Sequence, residues 1–255
     1  MSAKTALVTG AARGIGMAVV KRLVADGWNV AMCDLEPELS RNKAELATLG
    51  DQVFILSCDV SDEDSVKNFV TETINKFGSI HALVNNAGVG GPSTSVIETS
   101  LEDFNRVLSV NVSGTFLMCK HVAPHLAREE FGRIVNFGSI FGMQGVAGGS
   151  GYCASKGAVA LLTHSLALEL APNITVNTIA PGQILTQMYL DDQQLMANAK
   201  GLSLPEQLEI SRSGIPAQRQ GEGSDIANAV AWLLSSDAAY VTGQTLSVNG
   251  GVLLT

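Results

Sequence analysis

The chain has 255 residues and a formal net charge of −8, which argues against a nucleic-acid partner because phosphate contacts need a basic surface. Hydrophobic residues make up 46% of the chain, enough for a large core, yet no apolar run reaches the roughly 18 residues that would predict a membrane span. Four widely spaced cysteines without a CxxC pair, and four histidines without an HExxH pattern, predict reduced thiols, no metal site and a cytoplasmic location.

Short hydrophobic runs alternate with longer helical segments along the chain. The runs that we interpret as strands lie at 5–9, 28–33, 53–57, 80–84, 133–137, 174–179 and 244–248. They are almost continuously apolar, which is typical of parallel strands that are buried on both faces. The repeated unit predicts an α/β fold, namely a single Rossmann-type doubly wound domain over 1–255 with a seven-stranded, mostly parallel sheet between helix layers.

The connection at 182–222 is the longest segment without a clear strand. It mixes leucine, methionine and tyrosine with polar residues. A connection of this length inside a compact domain is usually functional. We therefore expect a substrate lid at about 183–215.

A glycine-rich turn follows the first strand in the stretch TALVTGAARGIGMAV. Gly10, Gly14 and Gly16 allow a tight turn and a close approach of the backbone to a ligand. The helix that follows offers unpaired N–H groups to a pyrophosphate. Because the spacing differs from the commoner G-x-G-x-x-G, a purely structural turn is the alternative to nucleotide binding.

Asp34 ends the second strand, 18 residues after Gly16. A carboxylate there accepts hydrogen bonds from ribose hydroxyls and repels a 2′-phosphate, which favours NAD over NADP. Arg13, inside the glycine turn, favours NADP if it reaches a 2′-phosphate. The structural alternatives are that Asp34 caps the next loop and that Arg13 is solvated.

The stretch GYCASKGAV places Tyr152 and Lys156 four residues apart. On a helix this spacing puts both side chains on one face, and a nearby ammonium lowers the pKa of a phenol. Such a pair is an acid–base device that works near neutral pH. The alternative is a tyrosine on a helix face beside a solvated lysine.

Further motifs accompany this pair: NNAG at 85–88, Asn111, Ser139 thirteen residues before the tyrosine, and PG at 181–182. Together with TGAARGIG, Asp34 and the YxxxK pattern, they make the chain similar to the short-chain dehydrogenase/reductase family from residue 5 to about 251. The resemblance implies a nicotinamide dinucleotide cofactor and hydride transfer to or from a carbon that carries a hydroxyl group.

The resemblance assigns a catalytic set of Asn111, Ser139, Tyr152 and Lys156. Tyr152 is the expected general acid/base, and Lys156 is expected to lower its pKa and to hold the nicotinamide ribose. Ser139 is expected to hydrogen-bond the substrate oxygen. Asn111 is expected to hold a water molecule that continues the proton path from Lys156.

The resemblance also implies a set of cofactor contacts along the chain. They are Gly10, Arg13, Gly14, Ile15, Gly16, Asp34, Leu35, Asp59, Val60, Asn86, Ala87, Gly88, Tyr152, Lys156, Pro181, Gly182, Ile184 and Thr186. Asp59 is expected at the adenine ring. Asn85, with Ala87 and Gly88, is expected to flank the adenosine ribose and to brace the central strand, and Thr186 is expected at the nicotinamide carboxamide.

The substrate is expected beside Ser139, Gln144, Tyr152 and Met188, because the loop before the tyrosine and the lid line the pocket in this family. Arg212 and Arg219 are isolated, so we expect no cationic cluster that would attract a phosphate or a thioester nucleotide. The favoured interpretation is an NAD-dependent oxidoreductase acting on a sugar, a polyol, or a small secondary alcohol or ketone.

Two other functions stay open at this point. One is an NADP-dependent carbonyl reductase, such as a 3-oxoacyl thioester reductase, with Arg13 on the 2′-phosphate. The other is a non-catalytic dinucleotide-binding sensor or scaffold. The resemblance further implies a homotetramer that assembles through helices at about 101–128 and 151–170, with no nucleic-acid or membrane partner.

Overall fold

The structure is a computed structural model that describes residues 3–126, 128 and 132–254. Its centre is one seven-stranded sheet. The strands are β1 (Thr5–Thr9), β2 (Asn29–Asp34), β3 (Val53–Ser57), β4 (Ala82–Asn85), β5 (Gly132–Phe137), β6 (Ile174–Pro181) and β7 (Thr245–Val248). Their order across the sheet is β3-β2-β1-β4-β5-β6-β7, and neighbouring strands run parallel.

Helices lie on both faces of this sheet. They are α1 (Gly14–Ala25), α2 (Glu36–Arg41), α3 (Lys43–Leu46), α4 (Glu63–Phe77), α5 (Leu101–Leu108), α6 (Gly114–Leu126), α7 (Ser150–Leu170), α8 (Gln187–Lys200), α9 (Leu204–Ser213) and α10 (Gly223–Leu234). A π-helical turn at Ser109–Ser113 joins α5 to α6, and 3-10 turns cover Ile140–Gly142 and Ser236–Ala238.

The core consists of two apolar layers, one on each face of the sheet. In β1, Val8 packs in the layer formed with α1 and α10, whereas Leu7 packs in the layer formed with α4 and α6. Both side chains are fully buried. Because successive residues of a strand point to opposite faces, covering both faces requires the continuous apolar runs seen in the sequence.

The fold class expected from the sequence is confirmed. All seven strands occur within two residues of their expected ends, and the sheet is parallel in each pairing that the structure describes. The connection at 182–222 contains the two helices α8 and α9, which the sequence pattern did not separate. Of the helix expected at about 101–128, residue 127 lies outside the described residues.

The order of the strands fixes where a ligand can bind. The chain moves outward from β1 through β2 to β3 and then returns to β4 on the other side of β1. Doubly wound sheets bind ligands at the carboxyl ends of their strands beside such a reversal. The glycine turn follows β1 and the NNAG segment follows β4, so both lie at this position. No helix within the described ranges is long and apolar enough to cross a lipid bilayer.

Candidate active site

The glycine turn between β1 and α1 has the backbone shape that only glycine adopts readily. Gly10 and Gly14 have φ angles of +61° and +58°. A Cβ atom on Gly16 would lie 2.3 Å from the Gly10 carbonyl oxygen and 2.6 Å from the Asn86 amide nitrogen. The turn therefore closes tightly on itself and leaves the N-terminus of α1 open to a ligand.

The NNAG segment braces this turn from the side of β4. The Asn86 Nδ2 donates to the carbonyl oxygens of Thr9, at 3.1 Å, and Gly10, at 2.7 Å. The Thr9 hydroxyl accepts from the backbone N–H groups of Asn86 and Ala87. These bonds tie the ends of two neighbouring strands together, which gives the expected cofactor residues of both segments a common position.

Asp34 stands at the carboxyl end of β2, next to the glycine turn. Its Oδ2 accepts from the Ala12 N–H at 2.9 Å, and its Oδ1 accepts from the Leu35 N–H at 2.9 Å. Burial raises the pKa of the Asp34 carboxyl, and these two hydrogen bonds oppose that shift. The capping alternative is thus realised, and the expected ribose contact of Asp34 stays a prediction.

Arg13 does not stand free beside Asp34. Its Nε lies 2.9 Å from the Glu38 carboxylate of α2, and about half of its side chain is exposed. To bind a 2′-phosphate, Arg13 would have to leave the Glu38 carboxylate and pair with the phosphate instead. The structure therefore gives Arg13 a local ion-pair role that the sequence did not reveal.

Tyr152, Lys156 and Ser139 meet at the carboxyl end of β5, where the 3-10 turn begins. The Ser139 side chain lies close enough to the phenol of Tyr152 to lower its pKa. The Lys156 Nζ lies 5.7 Å from the centre of the tyrosine ring and donates to the Phe137 carbonyl oxygen at 2.8 Å. The i, i+4 spacing on α7 thus brings the phenol and the amine to one place, as expected.

Burial dominates the electrostatics of this group. It raises the pKa of Tyr152, and the neighbouring Ser139 side chain lowers that pKa by less. Burial also lowers the pKa of Lys156 to about 8. The expectation that Lys156 lowers the phenol pKa stays a prediction: the Lys156 Nζ lies 5.7 Å from the ring centre, and the amine itself is buried.

Asn111 lies in the π-helical turn and is buried. Its Nδ2 donates to the Val89 carbonyl oxygen and to the Ser155 hydroxyl, and its Oδ1 accepts from the Val89 N–H. Both amide donors are therefore used within the protein, and the expected water contact would need another atom of this residue. Short π-helical turns of this kind are frequent at functional sites.

Because Gly88 has no side chain, it leaves space beside Asn111 and Lys156. A Cβ atom there would lie 3.2 Å from the Asn111 Oδ1 and 3.4 Å from the Lys156 Nζ. A side chain would press on both groups. This opening, the exposed start of α1 and the fixed carboxylate of Asp34 together fit a dinucleotide laid across the carboxyl ends of the strands.

Several expected cofactor residues have other surroundings. Asn85 is buried and donates to the Asn136 Oδ1 at 2.9 Å, so it braces β4 and β5 as expected, and its place beside a ribose stays a prediction. The Asp59 carboxylate accepts from the Ser61 N–H and hydroxyl. Ile184 is 5% exposed and packs in the α1–α10 layer, which leaves little of its side chain for a ligand.

The remaining expected residues lie around the same edge of the sheet. Val60 is buried against Gly114, Ile15 packs on the α1–α10 layer, and Leu35 is exposed at the start of α2. Pro181 ends β6, and the Gly182 N–H donates to the Val248 carbonyl oxygen. These positions are compatible with ligand contact, and their roles stay predictions.

Thr186 caps α8 and lies against the glycine turn. Its hydroxyl accepts from the Tyr189 N–H, and its methyl group would be 3.5 Å from a Cβ atom on Gly14. The α8 helix therefore starts beside the expected pyrophosphate position. Gln144 and Met188 are the two expected substrate residues outside the catalytic set, and both are exposed.

Sequence reasoning missed two features of the α8–α9 segment. The hydroxyls of Tyr189 and Ser211 are hydrogen-bonded to each other, and the Ser211 hydroxyl also donates to the Gln183 Oε1 at 2.6 Å. The Gln207 Nε2 also donates to the Gln193 Oε1 at 3.0 Å, which joins α9 to α8. No motif signals either feature, because both depend on how the two helices pack against each other.

The comparisons with known proteins cover nearly the whole chain. A family profile described as enoyl-(acyl carrier protein) reductase matches residues 10–253. The 3-oxoacyl-(acyl-carrier-protein) reductase FabG of Staphylococcus epidermidis is 38% identical over 98% of this chain and 99% of its own length. The short-chain dehydrogenase/reductase eriH of Hericium erinaceus is 36% identical over 99% of both chains.

Solved structures share the fold at similar identity. A variant of the actinorhodin polyketide ketoreductase, determined with NADPH, superposes with a TM-score of 0.92 at 34% identity, over 99% of both chains. An NAD⁺-bound xylitol dehydrogenase superposes with a TM-score of 0.90 at 34% identity, over 98% of this chain and 99% of its own. With the motifs and the site geometry, these full-length similarities establish that the chain belongs to the short-chain dehydrogenase/reductase family.

Proposed function

We propose that the chain is a reductase of ketone groups in 3-oxoacyl thioesters. The observation that carries this proposal is the 38% identity to a 3-oxoacyl-(acyl-carrier-protein) reductase over almost the full length of both chains. The similarity to a polyketide ketoreductase supports the same reaction. The comparisons thus favour the carbonyl reductase over the sugar or polyol dehydrogenase that the sequence pattern alone suggested.

The residues around Tyr152 supply what ketone reduction requires of the protein. When bound, a nicotinamide dinucleotide supplies the hydride. The neutral phenol of Tyr152 gives its proton to the ketone oxygen, and Ser139 donates a second hydrogen bond to that oxygen. Because burial raises the pKa of Tyr152, the phenol keeps its proton near neutral pH, which suits a general acid.

Lys156 is suited to return a proton to the tyrosine. Its pKa of about 8 lets it gain or lose a proton close to neutral pH. Its ammonium is held by the Phe137 carbonyl oxygen, beside Gly88 and Asn111. We propose that Lys156 returns a proton toward the Tyr152 oxygen after each reduction, and that its amine would also hold a ribose hydroxyl of a bound dinucleotide.

Two observations bear on the cofactor in opposite ways. The similarity to a ketoreductase determined with NADPH favours NADP(H). The carboxylate of Asp34 favours NAD(H), since two backbone N–H groups fix it at the end of β2. We propose NAD(H), because Arg13 is already engaged by Glu38 and a 2′-phosphate would meet the Asp34 charge.

We propose that α8 and α9 form the substrate lid of a single catalytic domain. The two helices are joined by buried amides: the Gln207 Nε2 donates to the Gln193 Oε1 at 3.0 Å. Gln183 and Tyr189 link the base of α8 to Ser211 in α9. Helices tied together in this way move as one body over the cleft, with Thr186 at their origin.

The test is a set of reductions by the purified protein, followed at the absorbance of the reduced cofactor. S-acetoacetyl-N-acetylcysteamine, a neutral 3-oxoacyl thioester, is offered with NADH and, separately, with NADPH. The proposal expects turnover, with a larger kcat/KM for NADH. Asp34→Ala is expected to reduce the ratio of kcat/KM for NADH to that for NADPH by about tenfold, which is the effect of losing one hydrogen bond to a charged group. A larger kcat/KM for NADPH in the unmodified protein would overturn the cofactor assignment.

A second candidate is a polyol dehydrogenase. Asp34 and the similarity to an NAD⁺-bound xylitol dehydrogenase favour it. Xylitol with NAD⁺ therefore belongs in the same panel, together with a crotonyl thioester that carries a carbon–carbon double bond and no ketone. Oxidation of xylitol without reduction of the 3-oxoacyl thioester would replace our proposal by this candidate, and reduction of the crotonyl thioester alone would indicate an enoyl reductase.

A further inference from the structure

A row of buried polar side chains crosses the sheet near the carboxyl ends of its central strands. Asn85 of β4 pairs in register with Asn136 of β5, and Asn136 pairs with Thr178 of β6. All three are at most 3% exposed. Strands that are covered on both faces are otherwise apolar, and burying a polar group is unfavourable unless it is hydrogen-bonded, so this row requires an explanation.

The hydroxyl of Thr163 ties this row to α7, the helix that covers it. The Asn136 Nδ2 donates to the Thr163 Oγ1 at 2.9 Å, and the Thr178 hydroxyl donates to the same oxygen at 2.8 Å. The Asn85 Nδ2 donates to the Asn136 Oδ1 at 2.9 Å, which fixes the orientation of the Asn136 amide. Thr163 itself is fully buried. Both β5 and β6 thus hold α7 through one oxygen atom.

The same helix and the same strand meet again at the reacting group. Lys156 precedes Thr163 by seven residues, or about two turns, and therefore lies on the same side of α7. Its Nζ donates to the carbonyl oxygen of Phe137, the residue after Asn136, at 2.8 Å. Because the helix and the strand are joined at two neighbouring strand residues, a slide of α7 along β5 would alter both contacts. A slide of less than about 1 Å is enough to take the amine out of hydrogen-bond range of the carbonyl oxygen.

We propose that Thr163 is a positioning residue: by accepting from Asn136 it fixes α7 along β5 and so keeps the Lys156 amine at the Phe137 carbonyl oxygen. The inference rests on the proposed role of Lys156. Apolar packing is not directional, whereas a hydrogen bond between two short side chains holds its atoms to within roughly 0.3 Å. A valine of almost the same shape would pack in the same place but could not accept from Asn136.

Thr178 separates this role from a purely stabilising one. It uses the same Thr163 oxygen, but it lies on β6, which does not carry the carbonyl group that holds Lys156. Thr178→Val therefore removes one buried hydrogen bond and leaves the bond between Asn136 and α7 in place. Thr163→Val removes both bonds and leaves the Asn136 amide without this acceptor.

The first experiment measures the pKa of the Lys156 amine in the cofactor-free protein by NMR titration of the side-chain nitrogen, with Lys156→Met to assign the signal. Burial lowers this pKa to about 8, and Tyr152 is the titratable group beside the amine, with its ring centre 5.7 Å from the Nζ. In Thr163→Val a displaced α7 admits water to the amine, so the pKa should rise by about half a unit or more toward its ordinary value. Thr163→Ser, which keeps the hydroxyl, and Thr178→Val should both retain a pKa of about 8. An unchanged or lower pKa in Thr163→Val, or the same rise in Thr178→Val, would overturn the proposal.

The second experiment measures turnover of S-acetoacetyl-N-acetylcysteamine with NADH. In Thr163→Val, kcat should fall by about tenfold, which is the effect of losing one hydrogen bond at the reacting group, whereas kcat of Thr178→Val should stay within about twofold. Thr163→Ser should restore kcat, and a normal kcat in Thr163→Val would contradict the proposal. Reduction of no thioester by the unmodified protein would count against the proposed function, and the titration would still decide the role of Thr163.

Urea unfolding of each variant shows whether it is folded under the conditions of these measurements. If the unpaired amide prevents Thr163→Val from folding, Thr163→Ala takes its place, because the smaller side chain leaves room for a water molecule beside Asn136. The same rise in the pKa of Lys156 is expected there, and an unchanged pKa would equally overturn the proposal.

Discussion

Burial shifts the pKa values of Tyr152 and Lys156 in opposite directions. It raises the pKa of the phenol and lowers the pKa of the amine to about 8, because in each case the protein disfavours the charged form. The ligand-free cleft therefore holds a protonated tyrosine. A protonated phenol is ready to act as an acid toward a ketone, which agrees with reduction as the proposed direction.

Tyr152→Phe should remove this acid and leave the cleft otherwise intact. The ring stays in place, and the change removes only the hydroxyl that lies beside the Ser139 side chain. Positioned acid–base groups typically contribute about 10²–10⁴-fold, so kcat should fall by that factor. Equilibrium titration with NADH should give a Kd close to that of the unmodified protein. A variant that retained near-normal kcat would exclude Tyr152 as the acid.

Lys156 makes the stability of the fold depend on pH. Because its pKa falls from 10.5 to about 8 on folding, the unfolded chain binds more protons between these values, and stability rises as the pH increases through this window. Lys156→Met removes the titrating group. The unmodified protein should therefore gain on the order of 3 kcal/mol relative to this variant between pH 7 and about pH 11.

Urea unfolding of the cofactor-free proteins at the two pH values measures this difference. The comparison with Lys156→Met cancels the titration of other groups, which both proteins share. A difference that stayed constant with pH would mean that Lys156 keeps an ordinary pKa in the fold.

At the scale of whole elements, the strands were predictable and the α8–α9 segment was not. A strand such as β1 is fully buried and leaves an unbroken apolar run in the sequence. In α8 and α9 the buried positions include Gln193 and Gln207, which satisfy each other by a hydrogen bond. Buried amides break the apolar period of a helix, so hydrophobic periodicity did not locate its inner face.

The π-helical turn between α5 and α6 was likewise invisible in the sequence. It carries Asn111, whose amide is bonded to Val89 and Ser155 on two other segments. The residue itself was recognisable from the family pattern, but its contacts depend on where α7 and the segment after β4 pack. Asn111 could therefore be recognised as a site residue from the sequence, whereas its hydrogen-bond partners could be identified only from the tertiary structure.

The glycine turn gives a prediction about the packing of α1 on β1. In Gly16→Ala the added methyl group would lie 2.3 Å from the Gly10 carbonyl oxygen, so the turn or the helix must move. We expect a loss of about 1–3 kcal/mol in unfolding free energy and a weakening of NADH binding by at least about tenfold. Gly90→Ala, where no atom lies within 4 Å of the new methyl group, is the control and should leave stability unchanged. Normal NADH binding by Gly16→Ala would contradict the proposed position of the dinucleotide.

At the scale of the whole molecule, the site is assembled from segments far apart in the sequence. Asp34 ends β2, Asn86 follows β4, Ser139 follows β5 and Thr186 follows β6, with Tyr152 on α7. Parallel strands put all of their carboxyl ends at one edge, which explains why a list of scattered residues forms a single cleft. The hydrogen bond between Gln193 of α8 and Gln207 of α9 depends instead on the path of a long connection, and no local pattern encodes it.

The outer face of α7 carries the last prediction, which concerns assembly. Leu161 and Leu168 stand seven residues apart on one side of this helix and are 68% and 84% exposed in the single chain. Burying two such exposed leucines against a second copy of the chain is favourable, and the expected homotetramer would bury them in this way. Light scattering of the unmodified protein should then give about four chain masses, and the double substitution Leu161→Glu and Leu168→Glu should shift the protein to smaller species. The control is Ala47→Glu. Ala47 is exposed at the end of α3, on the sheet face opposite to α4 and α6, so this change should leave the mass of the assembly unchanged. A double variant with the same mass as the unmodified protein would exclude this face of α7 as the interface.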